Sequence, residues 1–310
     1  MAAGRLAGDE RALALGLDGL KTSLAYLGER DGLNKVIDEL EPLARRQGDL
    51  LLLHWAVFEG AFPAIAAADW ELARARIGQA IEMNGRSGYV GHETWLVAHL
   101  GWVARLQGRY DEAVELGRRS VVLSRRTAHR WWLPTAQALL ATTLLESGTA
   151  GEAAEARRLL IDASAQVGPD GNEAHRLRCL AALAEATHSR AVLDEADNLL
   201  TNISAPAGSA WRLGTDAYLA VARSWLHHGQ PGRARAALAP LVSAADRQQW
   251  LPTLAGAALV EGAATAAMGD PAGAGQSFAQ ALDLATRHGM VGVERDARTA
   301  LLKLIGHPTS

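Results

Sequence analysis

Tryptophan is the residue type in this chain best suited to recognising another molecule, with nine in a sequence that is only 5% aromatic. Trp95 and Trp102 are seven residues apart, which places both on one face of a helix. Large aromatic side chains supply contact area at little conformational cost, so they fit a peptide or a small aromatic ligand. The same spacing is typical of a helical core, and the sequence leaves both interpretations open. The aromatic candidates are Trp55, Phe58, Phe62, Trp95, Trp102, Trp131 and Trp132.

Arginine and histidine supply the polar candidates, most of them in the second half of the chain. Arginine can hold a carboxylate or a phosphate through two parallel hydrogen bonds. The alternative is a solvated face with local ion pairs. We expect Arg178 to be exposed, so that Arg178→Ala leaves folding nearly intact and weakens the binding of an anionic partner. The polar candidates are Arg105, His175, Arg178, Arg212, Arg223 and His227.

Patterns for catalysis and metal binding are weak. His92 and His99 are seven residues apart, whereas zinc-protease chemistry needs two histidines four apart with a third ligand nearby. The segment 16–22 reads GLDGLKT and lacks the glycine that a phosphate-binding loop needs directly before its lysine. Ser, His and Asp residues occur without a spacing that predicts a triad. The sequence therefore predicts a non-catalytic protein with no cofactor and no metal site.

A repeat of 40 or 41 residues positions these side chains. Turn signals recur near 29–32, 68–69, 108–109, 148–149, 187–190, 229–231 and 269–271. A small residue follows most turns where a second helix would approach the first, and these residues are Ala73, Ala113, Ala153, Ala234 and Ala274. The turn near 187–190 has no glycine, and Leu193 takes the small position there.

The repeat predicts an all-α protein built as one domain over residues 1–310. A single helix pair cannot bury its apolar surface alone, so neighbouring pairs must stack into a solenoid. Runs of alternating β-branched residues are missing, which predicts no sheet. Asp49 is a suitable N-cap, and Pro63 should kink or shorten its helix. We expect about seven antiparallel helix pairs near 9–46, 50–84, 91–126, 130–167, 172–202, 210–247 and 249–288, with a capping helix near 293–305.

Composition narrows the partners and the location. Lys plus Arg total 31 against 34 Asp plus Glu, which gives a net charge of −3. With no excess of positive charge, we expect no direct contact with nucleic acid. The most apolar run, residues 251–269, contains Glu261 and is better explained as a packed helix than as a membrane span. The single Cys179 and an N-terminal segment unlike a secretory signal predict a cytoplasmic protein. Oligomeric state has no signature in the sequence.

The unit resembles a tetratricopeptide repeat along the whole chain, most specifically at Leu100, Gly101, Gly108, Tyr110 and Ala113. Its period exceeds the usual 34 residues, and in this it resembles the MalT-like region of ATP-dependent bacterial transcription regulators. The resemblance implies a right-handed superhelix in which the first helix of each pair lines a concave groove. Counting back from each turn places the aromatic and polar candidates on that groove.

Three functions are consistent with such a groove. The expected one is recognition of a peptide or protein segment, by a free-standing protein or by the sensory part of a regulator, and it requires an open groove with exposed arginines. The first alternative is a small-molecule sensor, which requires a closed pocket around Trp55, Trp95, Trp102 and Trp132. The second is an unusual enzyme on a helical solenoid, which requires converging titratable groups with shifted pKa values.

Overall fold

The chain folds into helices throughout the residues that the computed structural model describes, which are 8–88, 90–127, 132–148, 150–169, 172–202 and 214–306. These residues form helices and no strand, so the expected all-α solenoid is confirmed. In chain order the helices are α1 Glu10–Leu27, α2 Arg30–Gln47, α3 Leu50–Glu59, α4 Ala61–Ala66, α5 Trp70–Ser87, α6 Val90–Leu106, α7 Tyr110–Thr127, α8 Trp132–Ser147, α9 Ala150–Val167, α10 Glu173–Thr187, α11 Arg190–Asn202, α12 Thr215–His227, α13 Pro231–Gln248, α14 Leu251–Ala267, α15 Pro271–Arg287 and α16 Val291–Gly306.

The helices pack in sequence as pairs, with α16 following the last pair. We call α1, α3, α6, α8, α10, α12 and α14 the first helices, and α2, α5, α7, α9, α11, α13 and α15 the second helices. Helix α4 continues the course of α3. The two helices of a pair pack together, as α6 and α7 do, and each pair packs on the next, as α7 does on α8. Within the described part of the chain, no helix is both long and apolar enough to cross a membrane.

Local chemistry sets where the helices begin and end. The carboxylate of Asp49 accepts a hydrogen bond from the backbone N–H of Leu52 at 2.9 Å, so the predicted N-cap of α3 is confirmed. The turn after α10 lacks glycine, and His188 adopts the left-handed conformation there with φ 54°. Its backbone N–H donates to the carbonyl of Ala184 at 2.8 Å. The fifth turn therefore closes like the glycine-containing turns, at the cost of a left-handed non-glycine residue.

Small residues let the two helices of a pair approach closely. A Cβ placed on Gly101 would lie 3.3 Å from the Cβ of Leu116 and 3.4 Å from the carbonyl oxygen of Ala113. Ala113 itself is buried against α6. Leu193 takes the equivalent place in the fifth pair and is fully buried, so a larger side chain is accommodated there. The periodic small residues in the sequence therefore mark the contact between first and second helices.

The first helix of the second pair is interrupted. Helix α3 ends at Glu59 and α4 starts at Ala61, so the interruption lies at Gly60. Pro63 occupies the third position of α4, in the first turn, where its missing N–H costs no internal hydrogen bond. A Cβ on Gly60 would lie 2.6 Å from Nη1 of Arg76, so the arginine occupies the space that a side chain would fill. The predicted shortening of this helix near Pro63 is therefore observed.

The ends of the solenoid meet. The indole N–H of Trp70 donates to the carbonyl of His288 at 2.6 Å, across 218 residues of sequence. The indole N–H of Trp250 donates to the carbonyl of Gly28 at 2.9 Å, across 222 residues. Helix α14 also packs against α4. The early pairs therefore contact the late ones, and the superhelix closes into a ring.

Helix α16 takes part in that closure. The backbone N–H of Val291, at its start, donates to the carbonyl of Gln107 at 3.2 Å. A Cβ on Gly108 would lie 2.6 Å from the backbone nitrogen of Gly292, so only glycine allows this approach. The expectation of a groove open along its length is corrected, because contacts between the early and late turns close it. The last helix covers the seventh pair and also joins it to the third.

Candidate functional site

Two cavities lie along the inner wall formed by the first helices. The cavity that we call the aromatic cleft has a volume of about 490 Å³ and is lined by Asp18, Lys21, Thr22, Tyr26, Trp55, Glu59, Trp95, Trp132, Asn172 and His175. The second, which we call the central cavity, has a volume of about 400 Å³ and receives side chains from α4, α6, α8, α10, α12, α14 and α16. Both volumes fall in the range of ligand pockets, about 300–1,000 Å³.

Tryptophans from three consecutive pairs meet in the aromatic cleft. The rings of Trp95 and Trp132 are stacked, with centroids 6.0 Å apart and an interplanar angle of 28°. His92 bridges the remaining rings, with centroids 4.9 Å from Trp55 and 5.4 Å from Trp132. Trp95 is 4% exposed, whereas Trp55 and Trp132 are half-buried. Trp95 therefore forms the back of the cleft, and the other two present accessible ring surface.

A buried charged group forms one side of the aromatic cleft. The Nζ of Lys21 lies 2.8 Å from Oδ1 of Asp18 and 2.9 Å from Oε2 of Glu59. The hydroxyl of Thr22 donates to the same Glu59 oxygen at 3.2 Å. Lys21 is only 1% exposed, so both carboxylates offset the desolvation of its ammonium group. His175 lies at the far side of the cleft, with Nδ1 2.7 Å from Oγ1 of Thr135.

His54 is buried directly behind this cleft. It is 2% exposed, and its ring lies 5.1 Å from that of Trp55 and 5.5 Å from that of His92. Neither ring nitrogen has a hydrogen-bond partner. Burial, followed by the neighbouring His92 and Lys21, lowers the pKa of His54 from 6.5 to about 4. The imidazole is therefore neutral near pH 7 and acts as part of the aromatic packing.

Ion pairs form the polar side of the central cavity. Nη1 of Arg105 donates to Oε1 of Glu146 at 2.7 Å, and Nη2 donates to Oδ1 of Asp216 at 2.6 Å. Arg105 belongs to the third pair and Asp216 to the sixth, so this contact crosses the ring. Arg223 makes a two-point contact with Glu185, at 2.5 Å and 2.9 Å. Two of the arginines expected to meet an acidic ligand, Arg105 and Arg223, therefore already have carboxylate partners within the chain.

The pKa values in this network follow from burial and pairing. Burial alone would lower the pKa of Arg105, but Asp216 and Glu146 outweigh it and raise that pKa. Burial opposes ionisation of Asp216, yet Arg105 and other arginines hold its pKa below the usual range. Burial is the largest influence on Glu146 and raises its pKa in spite of Arg105. The Arg105–Asp216 pair is therefore ionised at neutral pH, and Glu146 is more easily protonated than Asp216.

Several predicted site residues lie elsewhere. Phe58 and Phe62 are fully buried and contact the ring of His99, so the expectation that they line the groove is corrected. Arg178 is 4% exposed, which corrects its expected exposure and the expected tolerance of Arg178→Ala. His227 is exposed at the end of α12 and stacks on His188 at 3.8 Å between centroids. Trp131 and Arg212 lie outside the described residues.

The inner wall also contains residues that the sequence analysis overlooked. Lys21, Glu59 and His92 were not predicted for the aromatic cleft, and Glu146 was not predicted for the central cavity. One signal was available for Glu146, because it lies 41 residues after Arg105, one repeat period away. Arg223 and Glu185 are similarly separated by 38 residues. Opposite charges one period apart can meet across stacked pairs.

The described side chains offer little that would support covalent catalysis or metal binding. The described residues contain no cluster of three or more His, Cys, Asp or Glu side chains placed to hold a metal ion. Cys179 is buried, and burial raises the pKa of its thiol to about 12. A thiol with so high a pKa is a poor nucleophile at neutral pH. The arrangement is suited to binding through aromatic and hydrogen-bonding contacts.

Comparison with known proteins agrees with this architecture. No protein-family model matches the sequence, and no curated protein matches it. Among solved structures, it is similar to a Rap protein complexed with competence and sporulation factor, with a TM-score of 0.52 at 9% identity over 95% of this chain and 98% of that one. Apo NprR, a quorum sensor from B. thuringiensis, gives 0.48 at 12% identity, covering 94% and 87%. TTC0263, a TPR protein from Thermus thermophilus, gives 0.44 at 19% identity, covering 67% and 99%.

The fold defines the chain as a helical-repeat solenoid. Within that class its fold is of the tetratricopeptide type, built from consecutive antiparallel helix pairs. The identities are low, so the likeness concerns the fold, and function has to be argued from the inner wall itself.

Proposed function

We propose that this protein is a non-catalytic module that binds a peptide or protein segment at the aromatic cleft. The observation that carries the proposal is the convergence of Trp55, Trp95 and Trp132, from three consecutive first helices, with His175 from a fourth, on one cavity. Tryptophan is enriched among the residues that dominate binding energy at interfaces. An apolar or aromatic side chain of the partner would pack on the accessible ring surfaces of Trp55 and Trp132.

The charges of the inner wall refine the partner. Arg105 and Arg223 each form an ion pair with a carboxylate of the chain, so neither is available to bind an acidic end of the partner. Among the described residues that line the aromatic cleft, Asp18 and Glu59 both contact Lys21. The expected acidic segment in an open groove is therefore replaced by a short segment whose aromatic or apolar anchor enters the cleft. The fold is shared with a Rap protein whose solved complex contains competence and sporulation factor.

The cellular setting belongs to the same proposal. The sequence contains one cysteine, which is buried, so the fold does not depend on an intramolecular disulfide. Such a chain is suited to a reducing compartment, and we place it in the cytoplasm. The role as the sensory part of a transcription regulator comes from the MalT-like resemblance alone and stays a hypothesis.

Panning of phage-displayed random peptides on the purified chain tests the proposal. Selected peptides would then be titrated against wild type, Trp55→Ala and Trp132→Ala, with fluorescence anisotropy of a labelled peptide as the readout. Loss of a central aromatic contact typically costs at least about 2 kcal/mol, so affinity should fall about 30-fold. Val122→Ala is the matched control, because Val122 is 46% exposed on a second helix and should bind like wild type.

Two results would refute the proposal. One is that panning yields no peptide with saturable binding to the folded chain. The other is that selected peptides bind both tryptophan variants as tightly as wild type while those variants keep the wild-type circular dichroism spectrum.

A further inference from the structure

The central cavity is separate from the aromatic cleft and lies where the ring closes. Its volume is about 400 Å³. Helix α16 covers one side, where a Cβ on Gly292 would lie 2.3 Å from the hydroxyl oxygen of Tyr110. The contact of Gly108 with Gly292 holds this helix against the third pair. A cavity of this size, walled by helices from both ends of the solenoid, suits a small molecule better than a length of polypeptide.

Most of the cavity surface is apolar. Leu145, Leu219, Leu226 and Val293 line it together with the ring of Trp102. Trp102 is 7% exposed and lies one helical turn before Arg105. A ligand that fills the cavity must therefore carry an apolar body, since a fully polar molecule would lose its hydration without replacement.

The polar side of the cavity has hydrogen-bond acceptors to spare. Arg105 bonds only Oε1 of Glu146 and only Oδ1 of Asp216, so a second oxygen remains on each carboxylate. The remaining guanidinium nitrogen of Arg105, Nε, is buried and has no hydrogen-bond partner. Arg223 donates to both oxygens of Glu185. Acceptors on Glu146 and Asp216 are thus the groups that a ligand can reach.

The surrounding charges decide which ligand head group fits. The carboxylates lining the cavity are Glu146, Glu185, Asp216 and Asp296, and the guanidinium groups lining it are Arg105 and Arg223. Outside the lining, Arg295 pairs with Asp296 at 2.8 Å, and the buried Arg178 acts on Asp216. A carboxylate ligand would face acceptors of its own sign. An ammonium group would donate to them and also face the π-systems of Trp102 and Tyr110.

We propose that the central cavity binds a small amphipathic amine, whose ammonium group donates to the oxygens of Glu146 and Asp216 that Arg105 does not bond and whose apolar body lies along Trp102, Leu145 and Leu226. The proposal concerns a different cavity from the aromatic cleft and does not depend on peptide binding there. It specifies an organic cation as the class of ligand.

Isothermal titration calorimetry with three probes of equal chain length tests the charge requirement. At pH 7 octylamine is protonated, 1-octanol is neutral and octanoic acid is ionised. Octylamine should bind saturably to the full chain and raise its melting temperature. Octanol should bind at least about tenfold more weakly, and octanoate should not bind. Equal or tighter binding of octanoate would overturn the proposal, as would the absence of saturable octylamine binding.

Variants locate the binding to the cavity. Glu146→Gln removes the charge with little change of shape and should weaken octylamine at least about tenfold. Glu155→Gln is the matched control: the Glu155 side chain is 28% exposed against 32% for Glu146, and it also pairs with an arginine. Leu145→Trp keeps the charges and fills the cavity, so it should abolish binding even if Glu146→Gln is poorly folded. Unchanged octylamine affinity in folded Leu145→Trp would refute the assignment.

The cleft variants separate this proposal from the peptide proposal. Trp132→Ala should lose selected peptides and bind octylamine like wild type. If Trp132→Ala and Leu145→Trp weaken octylamine equally, the amine binds in the aromatic cleft and the assignment to the central cavity is wrong.

Discussion

Gly108→Ala should be more destabilising than the same substitution at another left-handed glycine, because Gly108 is where the ring closes. Gly108 has φ 77° and Gly269 has φ 85°, and both lie in the turn between a first and a second helix. A Cβ on Gly269 would meet nothing within 4 Å, whereas one on Gly108 would lie 2.6 Å from the nitrogen of Gly292. The left-handed backbone with a Cβ costs about 1–2 kcal/mol at either position.

The additional cost at Gly108 comes from displacing α16. The substitution must break or lengthen the hydrogen bond from Val291 to Gln107, which is 3.2 Å long and contributes about 1 kcal/mol. Overpacking of a close contact typically adds about 1–3 kcal/mol. We therefore expect Gly108→Ala to lower the free energy of unfolding by about 1–3 kcal/mol more than Gly269→Ala.

Urea unfolding of both variants, followed by circular dichroism, measures this difference. Hydrogen exchange of the Val291 amide provides a local readout, and its protection should fall in Gly108→Ala and persist in Gly269→Ala. Equal destabilisation within about 0.5 kcal/mol, together with equal Val291 exchange, would show that α16 does not close on the third pair in solution.

Three further changes test the interior. The pKa of His54 is about 4 in the folded chain, against an ordinary value of 6.5 that applies to the unfolded chain. The unfolded chain therefore binds a proton at His54 more readily than the folded chain does. The contribution of neutral His54 to stability is complete above pH 6.5 and is lost as the pH falls towards 4, by up to about 3 kcal/mol. Urea titrations at pH 7 and pH 4.5 should show a smaller pH dependence of stability in His54→Leu than in wild type; an equal pH dependence in the two proteins would contradict the role of burial. Arg105→Met leaves the buried Asp216 without its partner and should lower the free energy of unfolding by about 3–5 kcal/mol, measured by chemical unfolding. The double variant Arg105→Met/Asp216→Leu should be less destabilised than Arg105→Met alone. If the double variant loses as much stability as the two single variants together, the two residues do not interact as a pair. Trp250→Phe removes one indole donor at the closure and should cost about 1–3 kcal/mol in the free energy of unfolding, and a loss below about 0.3 kcal/mol would show that this hydrogen bond does not form in solution.

Much of the local structure could be predicted from the sequence because it depends on residues close together in the chain. Asp49 caps α3 through an N–H three residues later. The close contact at Gly101 and the burial of Ala113 follow from a helix hairpin whose two halves are joined by a short turn. The all-α fold and its repeat could be predicted for the same reason, since every unit repeats one local pattern.

The candidate site was only partly predictable. Counting along the repeat selected Trp55, Trp95 and Trp132, which do line one cavity. The same counting selected Phe58, which is fully buried. Helical spacing identifies a side of a helix, but stacked pairs bury part of that side, so spacing alone cannot separate a core aromatic from an accessible one.

Partners of the charged residues depended on the superhelix as a whole. The contact of Arg105 with Glu146 spans one repeat period, 41 residues, and could have been found by comparing charges one period apart. Its contact with Asp216 spans 111 residues and follows from no local rule. Arg105 could therefore be identified as an inner-wall residue, while its engagement by two carboxylates could not.

The sequence by itself determined the helices, their turns and their stacking, because these arise from caps, small residues and apolar periodicity within about 40 residues. Only the tertiary structure decided that the ring closes through Trp70 with His288 and Trp250 with Gly28. A small rotation between neighbouring pairs adds up over the whole solenoid, and no single repeat encodes where the last pair arrives. That closure turns an open groove into an aromatic cleft and a central cavity.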